Sequence, residues 1–226
     1  MTDSLNFSIT FSRDTNMDQT REDIYTEPSP LDVDTLKNLG PLRGMAGVWQ
    51  GQRGLDVKPK AEGPKKQAYV EHMELQPIDP QTNGPQLLYG LRYHTHIVKP
   101  EQVKTYHEQV GYWLWEPATG TVIHSLAIPR GMVAMAVGKA DADAKSFELT
   151  ATHEHQSFGI RSLPFLDHAF KTVEFRIKVI YNDDGSWTYD EDTVLKILGQ
   201  ADLFHHTDRN TLVKIAEPTP NPLIRK

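Results

Sequence analysis

A long succession of alternating runs, rich in Val, Ile, Tyr, Phe, Trp and Thr, is cut by turn clusters and hardly at all by helical patterns. Between Met45 and Ile215 about ten such runs can be marked, mostly joined by short turns. In VEFRIKVIY, Val173, Phe175, Ile177, Val179 and Tyr181 share one face while Glu174, Arg176 and Lys178 point the other way, as a half-buried strand requires. Asn182-Asp183-Asp184-Gly185 joins this run to SWTYDEDTVLKIL, a strong hairpin signal. Glu116-Pro117-Ala118-Thr119-Gly120 and Pro129-Arg130-Gly131 mark two further turns. The segment SLPFLDHAFKT, with Pro164 and a compact apolar cluster, reads as a bend or helical turn over one end of the sheet. So many consecutive strands without alternating helices exclude a parallel α/β plan. A closed antiparallel barrel leaves no exposed sheet edge and is the economical solution, with a jelly roll as its competitor.

Outside this region the pattern changes. Residues 1–30 are polar and read as a flexible N-terminal arm. In SPLDVDTLKNLGPL, Ser29 or Asp32 is placed to cap a short helix that presents Leu31, Leu36 and Leu39 and stops at Gly40-Pro41. The ending EPTPNPLIRK is proline-rich and is expected to lack regular structure. The expected division is an arm with a short helix over residues 1–40, a ligand-binding barrel over 41–217 and a flexible tail over 218–226. Cysteine is absent, which excludes disulfides, thiolate metal sites and cysteine nucleophiles. The formal net charge of −6 and the scattered basic residues exclude a nucleic-acid partner. No apolar run reaches the ~18 residues of a membrane span, and the first residues lack the pattern of an export signal. A cytoplasmic protein without membrane contact is expected, and a homodimer is compatible with the sequence.

The 10 histidines are unevenly placed. His94 and His96, and again His153 and His155, lie at the strand spacing that puts both rings on one face; His205 and His206 are adjacent. One reading is a cupin-like non-haem metal site made by His94, His96 and Glu101, because alternate strand positions converge and imidazole with carboxylate suits a divalent metal. The plainer reading turns His94 and His96 to solvent, opposite Tyr93, Thr95 and Ile97. Arg130, Arg161 and Arg209 are candidates for holding the carboxylate of a fatty acid or another apolar ligand, since the guanidinium fork matches two oxygens. Trp49 can plug one end of a barrel, and Gly47, Gly51 and Gly54 let its strand bulge where the barrel curves. Trp113, Trp115, Tyr112, Met132 and Met135 are core candidates. No phosphate-binding, dinucleotide or hydrolase-nucleophile motif is found.

The stretch LRGMAGVWQGQRGLDVKP, with Gly47, Trp49, Gly51, Gly54 and Pro59, followed by EQVGYWLWEPATGTVIHSLAIPRGMVAMAVGKA and FHHTDRNTL, resembles the haem-binding β-barrel family that includes nitrobindin and fatty-acid-binding-protein-like members. The resemblance implies an all-β, calycin-like barrel of about ten antiparallel strands. It also implies haem b held by one C-terminal histidine, which corresponds to His206, or to His205 one residue out of register. Tyr93, His94 and His96 would then form the distal wall, and the chemistry would be reversible nitric oxide binding and peroxynitrite isomerisation. Asp208, Arg209 and Asn210 would either form a turn that locks the histidine or join Arg130 and Arg161 around an anion.

Overall fold

The computed structural model describes residues 23–155 and 157–226, so most of the expected arm lies outside the described residues. Twelve strands run in order: β1 (Gly47–Lys58), β2 (Lys65–Pro77), β3 (Gln81–Asn83), β4 (Gln86–Val98), β5 (Thr105–Glu116), β6 (Thr121–Ile128), β7 (Met132–Lys139), β8 (Ser146–Thr152), β9 (Ile160–Ser162), β10 (Phe170–Tyr181), β11 (Trp187–Ile197) and β12 (Phe204–Ala216). All pairings are antiparallel. β12 returns to β1, and β2 pairs with β4, closing a ring. Ten strands make the barrel, while β3 and β9 are short additions to β4 and β7. Neighbours in the ring are neighbours in sequence apart from these additions, which is an up-and-down barrel and not a jelly roll. At one seam, β7 and β8 are joined only near Val137 and Thr150; β9 fills the gap by pairing with Met132, Val133 and Ala134.

One end is plugged. Helix α1 (Thr35–Asn38) runs into a 3-10 helix over Gly40–Met45, and Leu39, Leu42, Met45 and Trp49 have no exposed surface. The Trp49 indole donates to the Met45 carbonyl at 2.7 Å and meets Trp187 edge-on at 6.0 Å. The cap of α1 is Asp34, which accepts from the Lys37 amide, not Ser29 or Asp32. The chain also does not stop at Gly40-Pro41, because Gly40 adopts φ 53° and Pro41 stands in the first turn of a 3-10 helix, where its missing N–H costs nothing. The C-terminal segment, expected to be free, is held instead. Fully buried Asn221 donates to the Val33 carbonyl and Asp79, and accepts from the Thr35 amide.

Two glycines shape the interior beside the plug. The β1–β2 register shifts between Gly51 and Gly54, the bulge expected of them. A Cβ on Gly51 would lie 2.1 Å from the Asn210 amide nitrogen, and one on Gly54 would lie 2.1 Å from the Tyr69 ring. Both absences make room for polar side chains on the inner face. In β10 the inward series is broken by another register shift between Thr172 and Glu174, so Thr172 is buried and Val173 only half-buried. Tyr112, expected in the core, lies on the outer face with 45% exposure.

Candidate functional site

The barrel encloses a cavity of about 610 Å³ toward the end opposite the plug, within the size range of small-molecule sites. Its wall is divided. β6, β7, β9 and β10 contribute Leu126, Ile128, Met132, Ala134, Ile160, Phe175 and Ile177, and the short helix α2 (Pro164–Ala169) adds Leu166 at the mouth. The opposite wall, built from β1, β2, β4, β5, β11 and β12, carries most of the ionisable groups, interspersed with Met73, Ile97, Trp113, Trp187 and Leu195.

At its deep end Glu71 accepts three hydrogen bonds, from Thr95 Oγ1 at 2.7 Å, Tyr189 OH at 2.7 Å and Asn210 Nδ2 at 2.9 Å. Tyr69 OH lies 2.7 Å from Tyr189 OH, extending the chain of hydroxyls. Burial raises the Glu71 carboxyl above its ordinary range, against the pull of these three donors. One step toward the mouth, Asp56 of β1, Asp208 of β12 and Glu191 of β11 stand side by side, because Asp208 pairs in register with both of the others. Burial pushes Asp208 up to about 7, with Asp56 adding to the shift, and raises Glu191 well above the usual carboxyl range. Asp56 behaves differently. Burial raises it, but hydrogen bonds from His206 and Tyr106 and the nearby Lys58 ammonium outweigh that and hold it low.

His206 lies beside this rank. Its Nε2 is 2.7 Å from Asp56 Oδ1 and 3.7 Å from Asp208 Oδ2. Tyr106 donates to the other oxygen of Asp56, and Lys58 donates to Tyr106 while standing 3.8 Å from Asp56. At the mouth a second chain runs from Arg130 Nη2 to His107 Nδ1 at 2.9 Å, from His107 to Gln109 at 3.3 Å and from Gln109 to the Tyr93 hydroxyl at 2.8 Å. Burial first, then the Arg130 charge, lowers His107 to about 4, which keeps it neutral and able to accept from Arg130. The deepest histidine, His124, stacks on Trp113 at 3.9 Å, and neither ring nitrogen has a partner among the described residues.

The sequence-derived candidates separate cleanly by strand phase. Tyr93 and His206 point inward and line the cavity. His205 points outward to Asp192 at 2.7 Å. His94 and His96 also point outward, His94 toward Glu108 at 3.4 Å and His96 to Thr105 at 3.1 Å. Neither is a wall of the cavity, since adjacent strand residues face opposite sides. Glu101 sits in the exposed turn between β4 and β5, so the cupin-like triad does not assemble. Arg161 donates to the backbone carbonyls of His153 and Ile160, and Arg209 pairs with Asp190 on the outer face; only Arg130 reaches the cavity. Asp208, Arg209 and Asn210 form no turn, because β12 runs straight through them.

Apart from Tyr93 and Asp208, the acidic and tyrosine residues of this wall were not among the candidates, yet the alternation carries them. Glu191 is in phase with Trp187 and Tyr189, and Glu71 with Tyr69 and Met73. A carboxyl in the inward phase of a strand is the signal.

Fold and site together define a closed ten-strand barrel with an internal cavity for a small ligand. The chain belongs to the THAP4-like, heme-binding beta-barrel domain family, whose model matches residues 38–214. Among solved structures it is similar to Rv2717c from M. tuberculosis, with 23% identity and a TM-score of 0.55 over 81% of this chain and 99% of that one. That likeness is one of fold. No curated protein matches. Among the described residues no helix is long and apolar enough to cross a membrane.

The family implies haem, and the donor set tests it. The C-terminal histidine is in the cavity wall, but the Nε2 that would meet iron is engaged by Asp56 and flanked by Asp208. The cavity surface on its side carries carboxyls, tyrosines and a lysine, with Thr193, His107 and Leu195 among them, and the wall opposite is apolar. As arranged, the imidazole is held by the Asp56 carboxylate, so a haem on His206 would have to displace that contact while lying against the apolar wall opposite.

Proposed function

We propose that this protein binds a small organic molecule inside the barrel, with its apolar body against β6, β7 and β10 and its polar part against β1, β11 and β12. The observation behind this reading is the divided wall of the 610 Å³ cavity. A barrel interior used only for stability is filled by apolar side chains. Here one half is apolar, and the other carries ionisable groups that the protein's own side chains leave partly unmatched. Fatty acids fit this wall poorly, since it offers Asp56, Glu71, Glu191 and Asp208 to a carboxylate and only Lys58, Lys60 and Arg130 in compensation.

The test is titration with an environment-sensitive naphthalene fluorophore, followed by quenching of Trp113 and Trp187, both of which line the cavity. Saturable binding is expected, and Ala134→Trp, which fills the apolar half, should abolish it while leaving the circular dichroism spectrum unchanged. Binding that persists undiminished in Ala134→Trp places the ligand elsewhere and refutes the reading.

Family membership favours a second reading, haem b on His206 with the nitric oxide and peroxynitrite chemistry the resemblance implies. Hemin titration separates the two. A saturable Soret band lost in His206→Ala supports haem, while a broad spectrum identical in both proteins removes it.

A further inference from the structure

We infer that the group recognised in this cavity is an organic cation, an amidinium or protonated amine on an apolar body, held between Glu191 and Asp208. This rests on the reading of the cavity as a ligand site and adds the charge of the occupant. The two carboxyls are directly opposed across β11 and β12, both on the inner face. Two carboxyls so placed cannot both ionise without repelling each other, and partial burial adds to the cost of charging either. Their neighbour Asp56 in the same rank is matched by His206, Tyr106 and Lys58. Asp208 is matched far less well: Tyr69 is its one hydroxyl partner, and its nearest cationic atom is His206 Nε2 at 3.7 Å, beyond hydrogen-bond reach. Glu191 is half-buried, lines the cavity and has no hydrogen bond or ion pair among the described residues.

The arginines on β12 and on neighbouring β10 cannot serve. Arg176 pairs with Glu174 and Arg209 with Asp190, all on the outer face. A local rule is therefore broken at two adjacent inward positions with little compensation from the protein, and such breaks mark functional sites. A flat amidinium presents N–H donors to two carboxyls at once, the relation an arginine has with carboxylate oxygens. The apolar wall opposite, with Phe175, Ile177 and Leu126, accounts for the rest of the molecule. A bare divalent ion would leave that wall without purpose. It would also have to compete with the Lys58 ammonium, 3.8 Å from Asp56, for the cluster of Asp56, His206 and Asp208.

The experiment compares three probes with one skeleton, 2-naphthamidine, 2-naphthamide and 2-naphthoate, by calorimetry with the full chain at neutral pH. The amidine should bind at least about tenfold more tightly than the amide, with the naphthoate weakest, as expected for charge-assisted hydrogen bonds. Glu191→Gln and Asp208→Asn, isosteric changes that remove the capacity for negative charge, should each weaken the amidine by about tenfold and change the amide by less than about twofold. Equal affinities for amidine and amide, unaffected by either substitution, overturn the cation while leaving the cavity reading intact. Binding by none of the three overturns both. Stoichiometric Zn²⁺ or Mn²⁺ binding that is lost in His206→Ala, together with no preference for the amidine, overturns the organic cation in favour of a metal.

Discussion

His124→Phe should make the protein more stable, and more so in acid. His124 is 1% exposed on β6, stacked on Trp113 with the ring planes 10° apart and 5.1 Å from Tyr93. Its two ring nitrogens are buried without partners, and each unsatisfied buried polar group costs about 1–3 kcal/mol. Phenylalanine keeps the stack and removes both groups, so a gain of at least about 1–3 kcal/mol is expected at pH 7.5. Burial also lowers the imidazole from 6.5 to about 3. Below pH 6.5 the unfolded chain takes up a proton that the folded chain refuses until about pH 3. Wild-type stability therefore falls as the pH drops through that window, and is whole above it. At pH 4.5 the loss is about two pH units at ~1.4 kcal/mol each, or roughly 3 kcal/mol. The variant does not bear it, and all other titrating groups are common to both proteins. Urea unfolding followed by tryptophan fluorescence at pH 7.5 and 4.5 should show the gap widening by about 3 kcal/mol. A gap that is the same at both pH values, or a variant less stable than wild type at pH 7.5, refutes the account of His124 as a buried, unmatched imidazole.

Trp49→Ala removes the plug under the barrel and should cost about 3–5 kcal/mol, measured by urea unfolding. A Cβ on Gly111 would lie 1.9 Å from the Ser125 carbonyl oxygen, a backbone atom that cannot swing away. Gly111→Ala should therefore cost at least about 1–3 kcal/mol and raise amide exchange along β5 and β6. Asp56→Ala frees His206 Nε2; hemin affinity should rise about tenfold if this contact is what withholds the ring, and an unchanged titration shows that it is not. His94→Ala and His96→Ala lie on the outer face and should shift stability by less than about 0.5 kcal/mol, with no effect on binding of the naphthalene fluorophore.

The strands, their turns and the barrel were legible because they follow from local chemistry. Alternation puts Phe175, Ile177 and Val179 on one face whatever else the chain does, and Asn182 to Gly185 turns where only such residues turn easily. Trp49 could be assigned as a plug because a large indole among glycines has few other places to go. Spacing also showed correctly that His94 and His96 share a face. Which face they took depended on Tyr93, Thr95 and Ile97, whose larger apolar burial turned the histidines outward. The site itself belongs to tertiary structure. Asp56 and Asp208 are far apart in the chain and become neighbours only because closure brings β12 against β1, in a register shifted by the bulge around Gly51 and Gly54. Glu191 opposes Asp208 through a pairing that starts at Leu195 and Phe204 across a loop whose length does not dictate register. Period-two patterning specifies the side of a sheet on which a carboxyl lies; only the register of a closed barrel decides which other carboxyl it must face.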